Sequence, residues 1–115
     1  MDLTPAELED RMHEYAMEAS KLSKQDSDAQ IAFDLLKDWE KEKFAEVVDK
    51  QIGSSMTEKQ HKARLSDEWK EWKREFRQAR ADKTKHNKAH TNANRLWEHY
   101  RSLLSNTSRM AKMGI

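Results

Sequence analysis

An all-α fold is predicted by three observations. Helix-favouring Ala, Glu, Lys, Arg, Gln, Met and Leu dominate the 115 residues. Pro5 is the only proline and Gly53 and Gly114 are the only glycines, so strand punctuation is missing, as are β-branched runs. The apolar residues recur at alternating steps of four and three, which places them along one face of a helix.

The first helix opens at Thr4-Pro5-Ala6-Glu7. Thr4 accepts a backbone N–H as the cap, Pro5 sits where a missing N–H costs nothing, and Glu7 closes a capping box. Leu8, Met12, Tyr15, Ala19 and Leu22 form its apolar face. The polar stretch Lys24-Gln25-Asp26-Ser27-Asp28 is read as a break, with Ser27 and Gln30 capping a second helix. That helix carries Ala32, Leu35, Leu36, Trp39, Val47 and Val48, and it ends near Gly53, which suits a left-handed terminus. Acidic helices are thus expected over 4–52 and a loop over 53–57. Ser55 with Glu58, or Thr57 with Gln60, offers the restart signal.

A long basic helix is expected over 58–104, with a tail over 105–115. At about 1.5 Å per residue it is on the order of 70 Å long, too long for a compact domain of this size. Leu65, Trp69, Trp72, Phe76, Ala79, Lys83, His86, His90, Ala93, Trp97, Tyr100 and Leu104 lie at strictly alternating steps of four and three. Such a heptad seam belongs to supercoiled helices. It is aromatic at both ends and polar in the middle. The fold expected is therefore a hairpin-like N-terminal part plus one long helix with a seam.

Core material is short. Hydrophobic residues make up 36%, where an ordinary globular chain is nearer half. Leu, Ile, Val and Phe together number 17 of 115. Two features argue against disorder: 22 basic residues nearly balance 21 acidic ones, and there are four Trp. Another copy of the chain completing the seam, an obligate homo-oligomer, is the simplest remedy for the undersized core. Leu65, Trp69, Trp72, Phe76, Trp97, Tyr100 and Leu104 are its candidate contacts.

The net charge of +1 conceals a division. Residues 1–52 hold 14 Asp/Glu and 7 Lys/Arg, and residues 53–115 hold 7 and 15, so the halves carry −7 and +8. Such asymmetry points to a polyanion partner or to head-to-tail self-association. Arg77, Arg80, Lys83, Lys85, Lys88, Arg95 and Arg101 are interrupted only by Asp82 and Glu98. His86, His90 and His99, with Asn87, Thr91, Asn92 and Asn94, add hydrogen-bonding groups suited to phosphates and exposed base edges. The competing reading is a solvated face neutralised by the acidic helices. Membrane-surface binding is disfavoured by the lack of large apolar residues beside the basic run.

Other chemistry is scarce. Trp69 to Arg77 interleaves aromatics with bases, as in base-stacking platforms, but Trp69, Trp72 and Phe76 belong to the seam. His86 and His90 are one turn apart, yet Asn87 stands where a zinc protease helix has Glu, and no third ligand is nearby. A polar seam layer explains them better, and no metal or cofactor is expected. There is no Gly-rich phosphate loop and no nucleophile elbow, so no enzymatic activity and no catalytic residue is expected. No apolar run approaches 18 residues, so no membrane span is expected. MDLTPAELED lacks a signal peptide's apolar stretch, and the absence of Cys fits a reducing compartment.

Three segments carry a family resemblance. Glu18-Ala19-Ser20-Lys21-Leu22 leads to Leu35-Leu36-Lys37-Asp38-Trp39, a hairpin-like pattern. A long basic second half follows. The last helix, Ala93 through Leu104, is succeeded by a short Arg/Met/Lys tail. In this order the chain resembles the phage recombination mediators of the UvsY type, which load a recombinase onto single-stranded DNA coated with a single-strand-binding protein. The resemblance implies a ring-like homo-oligomer that wraps single-stranded DNA, contacts a recombinase or single-strand-binding protein, and works in the cytoplasm of a bacterium or phage-infected host. The alternative is a coiled-coil structural or adaptor protein that binds another protein and no nucleic acid.

Overall fold

A computed structural model of the chain describes residues 3–114. They form four helices: α1 (Pro5–Asp38), α2 (Glu40–Asp49), α3 (Met56–Leu65) and α4 (Asp67–Lys112). No strand occurs among the described residues, and the fold is all-α. None of these helices is long and apolar enough to cross a membrane. The chain divides into two compact units, Asp28–Thr84 and Met1–Ser27 with Lys85–Ile115.

In the unit Asp28–Thr84, Val47, Val48, Ala63, Trp69 and Trp72 form the core, with Leu36, Phe44 and Phe76 packed against it. Phe44, Val47 and Val48 lie at i, i+3 and i+4 on α2, which turns all three inward. Trp69 stacks on Trp72 at 4.9 Å and 5°, and Trp72 on Phe76 at 5.5 Å and 15°. Phe44 leans on Trp69, and Phe33 of α1 on Phe76. Each such pair adds roughly 0.5–1.5 kcal/mol beyond the area it buries. Few apolar residues thus suffice for a small core, because the largest ones stack on one another.

The unit Met1–Ser27 with Lys85–Ile115 pairs the first part of α1 with the last part of α4. Leu8, Ala19 and Ala93 are buried. Tyr15 stacks on Tyr100 at 5.2 Å and 12°. Further along α1, Asp26 meets Asn87 and His90. Rising numbers on α1 meet falling numbers on α4, so the two segments run antiparallel here.

The caps explain where the helices start. Thr4 Oγ1 accepts the Glu7 N–H at 3.2 Å, as expected. At the restart, Ser55 is the cap, accepting the Glu58 N–H, and the Glu58 carboxylate takes the N–H and hydroxyl of Ser54. Those bonds, with Lys62 beside them, hold the Glu58 carboxyl down at about 2.

Four boundaries depart from expectation. α1 runs unbroken through Lys24–Asp28, because Asp26 meets partners on α4 and Gln30 bonds Asp34 within the helix. The turn falls instead at Trp39, where i→i−4 bonding continues on both sides, from Trp39 N–H to Leu35 and from Lys43 N–H to Trp39. The helix expected over 58–104 is interrupted at Ser66, whose backbone is extended (φ −68°, ψ 149°). Ser66 donates its hydroxyl to the Ala63 carbonyl and accepts the Trp69 N–H, so one residue ends α3 and caps α4. The expected tail is helical to Lys112, with Thr107 bonding back to Leu103 and Arg109 and Lys112 in the last turn, where cations suit the helix dipole; Ile115 lies outside the described residues.

Gly53 does not take the left-handed conformation expected of it. A Cβ there would come within 3.2 Å of the Glu58 and Lys59 side chains, so its role is close approach to the start of α3.

Candidate functional site

Burial sorts the residues of α4 by face. Trp69 and Trp72 are buried and Phe76, Ala79 and Lys83 half-buried in one unit. His86, His90, Trp97, Tyr100 and Leu104 are half-buried in the other. Of the residues expected at an oligomer seam, Leu65 alone is largely exposed. The chain's own α1 and α2 supply the aromatic partners identified for Trp69, Phe76 and Tyr100. Burial of these rings therefore does not by itself require a second copy.

The expected nucleic-acid-binding residues fall on the other side of the helix. In the unit Asp28–Thr84, Arg77 and Arg80 are exposed, and the Arg80 guanidinium lies 5.1 Å over the Phe76 ring. Lys83 differs: it is half-buried, with Nζ 4.5 Å over the Phe33 ring. Lys70, Lys73 and Arg74 share this exposed surface, which a window drawn from Arg77 onward misses. In the other unit Lys85, Lys88, Arg95 and Arg101 are all exposed. Arg109 and Lys112 join them, and Arg109 stands on the line of Lys88 and Arg95 at multiples of seven residues. Sorting by helical face rather than by sequence window finds these additions.

Pairing decides what the charges are free to do. Among the described residues, Arg77, Arg80, Lys85, Lys88 and Arg95 form no ion pair within 4.0 Å. Arg101 pairs with Glu98 of its own helix and lies over Trp97. No carboxylate of the acidic half pairs with them within 4.0 Å among the described residues. Where α2 reaches α4 the polarity is reversed: Lys43 and Lys50 both bind Glu68, at 3.0 and 2.9 Å. The bond from Lys50, then that from Lys43, holds the Glu68 carboxyl below its usual range, and the same carboxylate raises the Lys50 ammonium.

His90 forms a polar layer with Asp26 and Asn94. His90 Nδ1 lies 3.0 Å from Asp26 Oδ2, and His90 Nε2 lies 3.1 Å from Asn94 Nδ2. No group of three or more His, Asp or Glu able to hold a metal occurs among the described residues.

The amides of Asn87, Asn92 and Asn94 are exposed on α4 with these cations. No protein-family model matches the chain, and no curated protein and no solved structure matches it.

Proposed function

We propose that this chain is a non-enzymatic single-stranded-DNA-binding accessory protein that uses the exposed basic residues of α4. The observation that carries the reading is the set of unpaired cations, Arg77, Arg80, Lys85, Lys88 and Arg95, on a helix whose opposite side is occupied by packing. Unpaired surface cations gain affinity for a strand by releasing its counterions, with no sequence readout needed. The mediator role, with a recombinase or single-strand-binding protein as partner in a bacterial or phage-infected cytoplasm, rests on the resemblance of the segment order. Assembly as a homo-oligomer is supported by Ile31, Leu35 and Trp39, a row at i, i+4 and i+8 that is 55, 56 and 63% exposed. An outward apolar row of this kind marks an association surface.

A labelled single-stranded oligonucleotide tests the reading. At low salt and micromolar protein it shifts, and Lys85→Glu with Lys88→Glu weakens the shift. Lys83 is left unchanged in this test because its packing on Phe33 ties it to the fold. No shift with the unaltered protein overturns the reading.

The same apolar row favours a second reading, an adaptor that binds another protein. In that case Trp39→Ala abolishes capture of the partner, while the oligonucleotide is not bound at any salt.

A further inference from the structure

A second cluster of unpaired cations meets the exposed surface of α4 at Lys73. In the unit Asp28–Thr84, a groove of about 720 Å³ is lined by Lys37, Lys41, Arg64 and Lys73, with Phe44 and Trp69 at its floor. Its size falls within the roughly 300–1,000 Å³ of small-molecule sites. None of the four cations forms an ion pair within 4.0 Å among the described residues. Two of them are already drawn over the floor: the Arg64 guanidinium is 5.5 Å from the Phe44 ring centre and Lys73 Nζ is 5.9 Å from that of Trp69. Asp38 and Glu40 complete the lining, which leaves a net charge of +2.

Four cations from four helices converge on one concavity, although each could point to water. Their mutual repulsion favours an anion between them. The aromatic floor and the Arg64 plane favour a flat ring beside that anion. The two carboxylates accept hydrogen bonds from exocyclic amino groups, as acidic side chains do with amino-bearing bases. We infer that this groove binds a single nucleotide, its phosphate held by Lys37, Lys41 and Arg64 and its base against Phe44 and Trp69. The inference deepens the proposed function by adding a nucleotide site that shares only Lys73 with the exposed basic surface of α4.

Titration with 2′-deoxyadenosine 5′-monophosphate, followed by indole N–H NMR shifts of Trp69, tests the inference. Inorganic phosphate and deoxyadenosine serve as separate probes. The expected result is saturable binding of the nucleotide at least about tenfold tighter than either part, since charge-assisted and stacking contacts then act together. Lys41→Glu, and independently Arg64→Glu, each weaken it by about tenfold, with far-ultraviolet circular dichroism unchanged. Lys88→Glu, outside the groove, leaves it unaltered. Equal affinity for nucleotide and inorganic phosphate, no saturable binding, or insensitivity to both groove variants overturns the inference. Oligonucleotide binding that persists beside a silent groove overturns this inference alone. A responsive groove without any oligonucleotide shift overturns the reading of the α4 surface and leaves the groove standing.

Discussion

Asp26 Oδ2 lies 3.0 Å from His90 Nδ1, at a level of α1 where a break was expected and an unbroken helix is found. The same oxygen is 3.4 Å from Asn87 Nδ2, and the other ring nitrogen of His90 meets Asn94. With Nδ1 protonated, the ring donates to Asp26 and Nε2 accepts from Asn94. The layer is thus satisfied on both sides of the ring, and no buried side-chain polar atom lacks a partner among the described residues. Polar layers of this kind fix register between helices at some cost in stability.

Asp26→Ala leaves His90 and Asn87 without their acceptor. A loss of about 1 kcal/mol is expected, read as a lower urea midpoint at unchanged slope. Replacing both partners, Asp26→Leu with His90→Leu, restores or exceeds the original midpoint, because the exposed amides of Asn87 and Asn94 turn to water and the pair itself leaves nothing unsatisfied. If the double variant is the least stable of the three, the polar layer contributes more than register.

The aromatic column makes the four Trp unequal. Trp72, 7% exposed and stacked on both sides, is expected to cost roughly 3–5 kcal/mol on change to Ala. Trp39 is on the surface of the single chain, and at protein concentrations too dilute for assembly Trp39→Ala is expected to move folding by less than about 0.5 kcal/mol. Thermal unfolding of the two variants checks this. A large loss at Trp39 would place it in a core that this chain alone does not form.

Ser66 joins two helices through its hydroxyl. Ser66→Ala is expected to lower stability by about 1 kcal/mol, and Ser66→Asp to restore most of it, because Asp also caps a helix start. Equal unfolding midpoints for the unaltered protein and the Ser66→Ala variant would show that the extended backbone, not the cap, ends α3.

Acid acts at the restart of α3. The Glu58 carboxyl is held at about 2 against an ordinary 4.5, first by the Ser54 N–H, then by the Ser54 hydroxyl and Lys62. A depressed carboxyl contributes stability that is present above its unfolded value and is lost as pH falls through the folded one. Stability is therefore expected to decline from about pH 4.5 towards 2, with Glu68 declining in the same direction. Lys50, raised by Glu68, adds stability that is full below 10.5 and fades above it. Carboxyl carbon NMR of Glu58 should show a midpoint near 2 that rises in Ser54→Ala. A midpoint near 4.5 in the unaltered protein contradicts the bonding described.

Helix content and the Thr4 and Ser55 caps are legible in the sequence because capping is a short-range pattern in residue type. The inward face of α4 is legible as periodicity, but not what covers it. The covering residues Phe33 and Tyr15 are far away in sequence, and a seam looks the same whether its partner is another copy or another part of the chain. Lys24–Asp28 reads as a helix break because its polarity interrupts the apolar face until His90 is seen opposite Asp26. The break at Ser66 carries a start signal, Ser66 before Asp67 and Glu68, but it is masked by the unbroken heptad spacing and by the absence of Gly or Pro. The basic surface is partly legible from charge counting. Summing charge along the chain rather than around the helix includes Lys83, although Phe33 claims it, and leaves out Lys70, Lys73, Arg74, Arg109 and Lys112.

The central claim is that the exposed cations of α4 hold a nucleic-acid strand by its phosphates. Its most direct test is the affinity for a fluorescent single-stranded oligonucleotide measured across a salt series. Each phosphate neutralised on a single strand contributes about −0.7 to the slope of log K against log salt, so roughly −3 to −5 is expected for these cations. Lys85→Glu with Lys88→Glu should flatten the slope by about 1.4 or more. A slope near zero, or one that the two substitutions leave unchanged, contradicts the claim.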